Sequence, residues 1–357
     1  MVRRWLLLIL LAAGCMMPPA ASRGAQSPPP PVVELTFGAS LQGRPLSGTR
    51  IGVGPRKLFV VANTHGGPEA NTYQLALALQ EYFRLNPDEV PPEVSLYIVP
   101  TVNPDGLALG TRFNSRGVDL NRNMDTNFDD CPENDWRTTV EGAYGYVSDT
   151  GGPFVESEPE SQVVRDMVLD ASAVIWLHSS GGDVFPALCE HAASIALAQA
   201  YAQASGYRYD RFWINYNITG GMHDWAGALG IASITPELAT GTEPELAANL
   251  AAVQAVLANY ERLLPAPSTT IEAASGVEMP ALLWRYWRAH GGPDWFGPPI
   301  SPVVQSNGRA TIYFAEQHLV LTPEGADALQ PVQRADGGQE LWTEYLLHAP
   351  ESAYQLR

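Results

Sequence analysis

At 357 residues the chain has room for one large domain and a smaller companion, or for two of medium size. Hydrophobic residues at 45% and charged residues at 17% exclude a disordered chain. A net charge of −17 and a pI near 4.7 exclude affinity for phosphate backbones, so no nucleic-acid partner is expected.

The first fifteen residues, "MVRRWLLLILLAAGC", join two arginines to an apolar run, small residues and Cys15, the pattern of an export signal. The ending "LAAGC" resembles a bacterial lipobox. That would make Cys15 the lipidated first residue of an exported, surface-tethered protein, with plain cleavage near "PPAAS" as the alternative. Residues 16–35 are rich in Pro and Ala and read as an extended tether. From residue 36 to 265, strand-like and helix-like patterns alternate. Apolar runs at 57–62, 94–100, 172–177 and 230–235 predict strands, and the stretches 69–83, 160–170, 194–204 and 243–264 predict helices. This order implies an α/β fold, a mostly parallel mixed sheet with helices on both faces. In such sheets ligands bind beyond the carboxyl ends of the strands. Helical character stops at "PAPSTT". Residues 271–357 form a separate aromatic- and Gly-rich module, whose clustered Trp side chains read as its core ahead of a sugar-stacking face. Cys131 and Cys189 either form a disulfide, as an exported protein permits, or remain two buried thiols.

His65, His178 and Glu237 each fall just past the end of a predicted strand, so three candidate ligands or bases converge on one rim of the sheet. With "NPDG" and "RFNSRGVDLNRN" between residues 103 and 123, and "YNITGGMHDW" from Tyr216, the set resembles the zinc carboxypeptidases of the carboxypeptidase A type. The compact wording of the second stretch is closer to the short bacterial forms, which include amidases that trim murein peptides. The resemblance implies one zinc ion held by His65, Glu69 and His178, with a position left open for water. It implies Glu237 as general base and Arg112 as the charge that stabilises the developing oxyanion. Arg122 and Asn121 would grip the terminal carboxylate, Tyr216 would close over the substrate, and Asp119 would orient the His65 ring. His223 takes the position that lines the base of the pocket for the terminal side chain. A histidine there suits acidic or polar ends.

One departure stands out. The family pairs its first two ligands as His-x-x-Glu, whereas here the spacing is His65-Gly-Gly-Pro-Glu69. Gly66 and Gly67 permit a turn that absorbs the extra residue, and Pro68 suits the start of a helix. The implied activity is hydrolysis of the C-terminal amide of peptides or murein stem peptides. Two rivals are a catalytically silent surface-binding protein and a deacylase of the same superfamily. The module after residue 271 resembles the LGFP-like repeats of exported bacterial proteins through "YWRAHGGPDWFGPPIS", which implies possible contact with wall material.

Overall fold

The structure is a computed structural model, and it describes residues 29–142, 146–189, 191–271, 275–306, 308–322 and 332–342. The signal segment with Cys15, and residues 16–28 of the expected tether, lie outside the described residues.

The chain opens with β1 (Val32–Ala39), β2 (Pro45–Ile51), β3 (Arg56–Ala62), α1 (Ala70–Leu85), β4 (Val94–Val99) and α2 (Pro104–Leu109). A long irregular stretch follows, interrupted by the short strands β5 (Val140–Glu141) and β6 (Val147–Ser148). Next come α3 (Pro159–Val168), β7 (Ala173–Ser179), β8 (Asp183–Pro186), α4 (Ala192–Ser205) and β9 (Arg208–Tyr209). The layer closes with α5 (Met222–Ala228), β10 (Ala232–Leu238), α6 (Leu246–Ala258) and α7 (Tyr260–Leu263).

Eight strands form one sheet in the order β1-β2-β4-β3-β7-β10-β8-β9. The centre, β4-β3-β7-β10, is parallel, and antiparallel pairings add β2 and β1 on one side and β8 on the other. The central strands are apolar on both faces because both faces are covered. Leu58, Val60 and Ala62 of β3, with Ile175 and Leu177 of β7, pack under α1, α4 and α6. Phe59, Val61, Val174 and Trp176 point the other way, under α3 and α5. Each fully buried side chain of this kind stabilises the fold by about 1.5–3 kcal/mol.

Two expectations from the sequence shift. Strand β1 begins at Val32, inside the stretch expected as tether to residue 35, because Val-Val-Glu-Leu-Thr-Phe alternates and pairs with β2 from Val32↔Ile51 onward. The helix expected over 243–264 breaks at Asn259, whose φ of −117 lies outside the helical range. No described helix is long and apolar enough to cross a membrane.

Beyond α7 lie β11 (Thr269–Ile271), β12 (Glu278–Pro280), α8 (Ala281–Ala289) and α9 (Gly292–Phe296). A four-stranded antiparallel sheet follows: β13 (Val304–Ser306), β14 (Arg309–Tyr313), β15 (Gln317–Leu321) and β16 (Val332–Asp336). Its core gathers Leu283, Trp287, Phe296, Ile312, Phe314 and Leu319. Trp287 and Phe296 are therefore core residues, whereas Trp295 is 58% exposed. Leu282, Trp284, Tyr286 and Ala289 of α8 pack against the α3/α5 face of the large sheet.

Candidate active site

The rim of the sheet is set by strand register. His178 near the end of β7 lies directly opposite Glu237 near the end of β10, and in a parallel pair such neighbours emerge on the same face. On its other side Glu237 pairs with Asp183 of β8. His65 follows β3 by three residues, so three adjacent strand ends deliver side chains to one place.

The connection from His65 to Glu69 answers the question raised by its spacing. Gly66 adopts φ 47 and ψ −125, and Gly67–Glu69 form a single 3-10 turn that leads into α1. A side chain at Gly66 would meet the Thr111 carbonyl oxygen at 2.2 Å, so only glycine fits. Asn63 fastens the turn: its Nδ2 donates to Gly66 O at 2.7 Å and to Glu69 O at 3.1 Å. Gly67 N donates to Thr111 O at 3.0 Å. The extra residue is thus taken up in the turn, and Glu69 faces His65.

Three donor atoms converge. His65 Nδ1 lies 2.6 Å from Glu69 Oε1, His178 Nδ1 lies 3.1 Å from Glu69 Oε2, and the two Nδ1 atoms are 3.2 Å apart. One proton can serve only one of these contacts, whereas one cation serves all three. Ligands at zinc's usual 2.0–2.2 Å in tetrahedral array stand about 3.3 Å apart, close to the observed spacing. All three residues are buried, and Glu69 Oε2 receives no hydrogen bond. The donor set of two imidazoles and one carboxylate therefore fits zinc. Burial opposes the charge on Glu69, but the His65 and His178 imidazoles outweigh it and hold the carboxyl well below the usual range.

Asp119 stands behind this group. Its Oδ1 is 3.2 Å from His65 Nε2, and its Oδ2 accepts from Arg112 Nε at 2.9 Å. Burial disfavours its ionisation, yet Arg112 and His65 prevail and keep the carboxyl well below the normal range. Arg112 is itself held firmly charged: burial works against it, but Asp119 and Glu69 raise its pKa. Arg112 Nη1 sits 3.8 Å from Glu69 Oε1, beside the cluster.

Glu237 behaves oppositely. Burial pushes its pKa up, and Glu69 and Asp183 push further, against the pull of His178 and Arg112. A carboxylate raised in this way is suited to exchange protons near neutral pH.

Nine of the expected residues line one cavity of about 850 Å³: His65, Glu69, Arg112, Asn121, Arg122, His178, Tyr216, His223 and Glu237. Arg122 is buried, and its guanidinium lies 5.7 Å from the Tyr216 ring centre. Asn121 Oδ1 accepts from Met222 N at 2.9 Å, which leaves its amide nitrogen to donate. His223 is buried at the start of α5, with Nε2 3.2 Å from Asp224 Oδ1. Burial lowers the His223 pKa, against the pull of the neighbouring Asp224.

Some contributors were not anticipated. Asp224 and Thr235 line the cavity, each with a buried oxygen lacking a hydrogen-bond partner. Asp224 lies in the "YNITGGMHDW" stretch, directly after His223. Asn63 carried no signal beyond its place after a strand. Cys131 and Cys189 are joined as a disulfide, with Cα atoms 6.1 Å apart, and both line the cavity.

Residues 23–256 match the sequence profile of the zinc carboxypeptidase family, well over half of the chain. Murein peptide amidase A of Escherichia coli is 29% identical over 213 residues, covering 56% of this chain and 79% of that protein. Among solved structures, bovine thrombin-activatable fibrinolysis inhibitor aligns at 21% identity with a TM-score of 0.53, over 64% of this chain and 90% of its own. Carboxypeptidase A of Helicoverpa armigera aligns at 20% identity with a TM-score of 0.51, over 65% of this chain and 68% of its own. These two structures share the fold of the large sheet. The chain belongs to the zinc carboxypeptidase family and is a metallocarboxypeptidase-type hydrolase.

Proposed function

We propose that this protein is a zinc-dependent carboxypeptidase that removes the terminal residue of a peptide, with murein stem peptides as one substrate class. The observation that carries the reading is the convergence of His65 Nδ1, His178 Nδ1 and the Glu69 carboxylate within 3.2 Å of one another, beside Glu237 and two arginines. The 29% identity to a murein peptide amidase supports the substrate class. His65, Glu69 and His178 would hold the metal, with Asp119 orienting the His65 ring. When bound, zinc would polarise the scissile carbonyl and acidify a water molecule.

The chain's own groups do the rest. Arg122 and the amide nitrogen of Asn121 bind the terminal carboxylate. Tyr216, on a loop at the cavity wall, covers the substrate and excludes water. Glu237 takes a proton from the attacking water and returns it to the leaving nitrogen. Arg112, fixed by Asp119, presents a positive charge where the carbonyl oxygen becomes negative. The same proposal includes export, with a lipid anchor at Cys15, and contact of the C-terminal module with wall material.

The test is metal analysis of purified wild type and Glu237→Gln, followed by digests of peptides and murein fragments read by mass spectrometry. The expected result is zinc near one equivalent in both proteins, and a loss of kcat of a hundredfold or more in the variant. Zinc-bound Glu237→Gln with wild-type turnover would refute the base. A wild type without zinc would leave the silent binding protein as the better reading.

A further inference from the structure

Helix α8 lies outside the large sheet, yet two of its arginines reach into the layer that carries the site. Arg285 spends its guanidinium on four backbone carbonyls. Nε donates to Leu229 O at 3.0 Å, Nη1 to Leu169 O at 3.1 Å and Ala171 O at 2.9 Å, and Nη2 to Gly230 O at 3.2 Å. Leu169 and Leu229 are the residues that end α3 and α5. A cation at a helix carboxyl end meets both the unpaired carbonyls and the negative pole of the helix. Here one cation serves two helices at once.

Arg288, one turn further along α8, donates from Nη2 to Phe128 O at 2.9 Å and lies 5.6 Å from the Phe128 ring centre. Phe128 is three residues from Cys131, whose disulfide with Cys189 forms part of the cavity wall. Helix α5 has only seven residues, too few to be stable alone, and its first turn carries His223 and Asp224 at the cavity base. Its amino end is held by Asn121 through Met222 N, and its carboxyl end by Arg285. Neither arginine lines the cavity.

We infer that α8 is a strut of the substrate pocket: Arg285 positions α5, and with it His223 and Asp224, while Arg288 positions the Cys131 loop. Both are positioning residues that act on the subsite for the terminal side chain and leave the metal group untouched. Helix α8 then serves the reaction by bracing the pocket floor. This inference rests on the carboxypeptidase reading for the meaning of the pocket.

The experiment uses full-length protein, with Arg288→Ala and Arg288→Lys, then Arg285→Gln and Arg285→Lys. Three benzoylglycyl dipeptides differing only in a terminal Phe, Lys or Glu give kcat and KM separately. Calorimetry with benzylsuccinate, a dicarboxylate mimic of the product, reads the pocket without turnover. For Arg288→Ala the expected result is a KM raised five- to twentyfold, unevenly across the three substrates. Its kcat should stay within threefold, its zinc content unchanged, and Arg288→Lys should recover most of the loss. Arg285→Gln should act more strongly, and if it does not fold, the Arg288 pair decides. A lowered melting temperature with KM, substrate ratios and benzylsuccinate affinity all unchanged would show a purely structural contact and overturn the strut. A wild type that neither cleaves these substrates nor binds benzylsuccinate would overturn the carboxypeptidase reading first, and the strut with it.

Discussion

Replacing Gly66 with alanine tests how the long first loop still delivers Glu69. The residue sits at φ 47 and ψ −125, a conformation that strains an L side chain by about 1–3 kcal/mol. The new Cβ would also fall 2.2 Å from Thr111 O and 2.5 Å from the Gly106 carbonyl carbon. Both neighbours are backbone, so no rotamer change relieves the contact, and overpacking of this kind adds about 1–3 kcal/mol. The total, about 2–6 kcal/mol, is met by loss of stability or by movement of the turn. Movement shifts Glu69, three residues on, and a ligand bond near 2.1 Å does not survive a shift of about 1 Å. At about 1.4 kcal/mol per decade, zinc affinity should fall at least tenfold. Competition against a fluorescent zinc chelator, with thermal melts in parallel, measures both parts. Gly110→Ala is the control, because Gly110 also has a positive φ, 70, but nothing lies within 4 Å of its Cβ position. It should lower stability by about 1 kcal/mol and leave zinc affinity alone. Wild-type zinc affinity and stability in Gly66→Ala would refute the argument.

Removing the disulfide with Cys131→Ala and Cys189→Ala frees a loop spanning 58 positions, and chain entropy puts the loss at about 4 kcal/mol, read by denaturant melts in non-reducing buffer. Zinc content should be unchanged, because neither cysteine touches a ligand. Glu156 makes stability depend on pH: burial raises its pKa to about 7 despite Arg165 at 2.7 Å, so the folded state holds a proton that the unfolded state releases near 4.5. Stability from this group is full below pH 4.5 and is lost as pH rises to 7, up to about 3 kcal/mol. Glu156→Gln should flatten that decline, and an unchanged slope between pH 5 and 8 would remove the assignment. Zinc at a hundredfold excess over its dissociation constant should stabilise the wild type by about 2.7 kcal/mol against a chelator-treated sample, and Glu69→Ala should abolish most of that difference.

The central strands could be read directly because both their faces are buried: β3, β7 and β10 appear as short apolar runs with helical patterns between them. Strands β1, β2 and β8 escaped because each is half-covered, short or antiparallel, and such segments resemble loops in composition. The proposed ligands His65 and His178 and the proposed base Glu237 are legible as polar residues just past strand runs. The competence of Glu69 was not legible. It depends on Thr111, more than forty residues away, approaching Gly66 closely enough to demand a glycine. Asn63 was invisible for the same reason, since its role is to tie Gly66 and Glu69 across the turn. Arg285 and Arg288 lie in "WRYWRAH", where nothing in the sequence says what their guanidinium groups meet. Only the fold reveals that Arg285 meets the ends of two other helices.

Charge balance links these local findings to the chemistry. Close around the ligand group stand the carboxylates Glu69, Asp119 and Glu237 and the guanidinium groups Arg112 and Arg122, with buried Asp224 in the same cavity. With every group ionised and no cation, this buried set carries negative charge in excess. A divalent ion offsets that excess, and in the proposed reaction the substrate's terminal carboxylate meets the two arginines. Burying charge is costly unless the charges are compensated, so the metal and the substrate anion each lower the other's cost of binding. The surface as a whole, at −17, repels that same carboxylate at a distance. On the proposed reading, capture is short-ranged, made inside the cavity where screening by salt is weak and the arginines are already oriented. Asp119 fixes Arg112 in place, so in the proposed mechanism the field that would receive the carboxylate and the developing oxyanion needs no rearrangement.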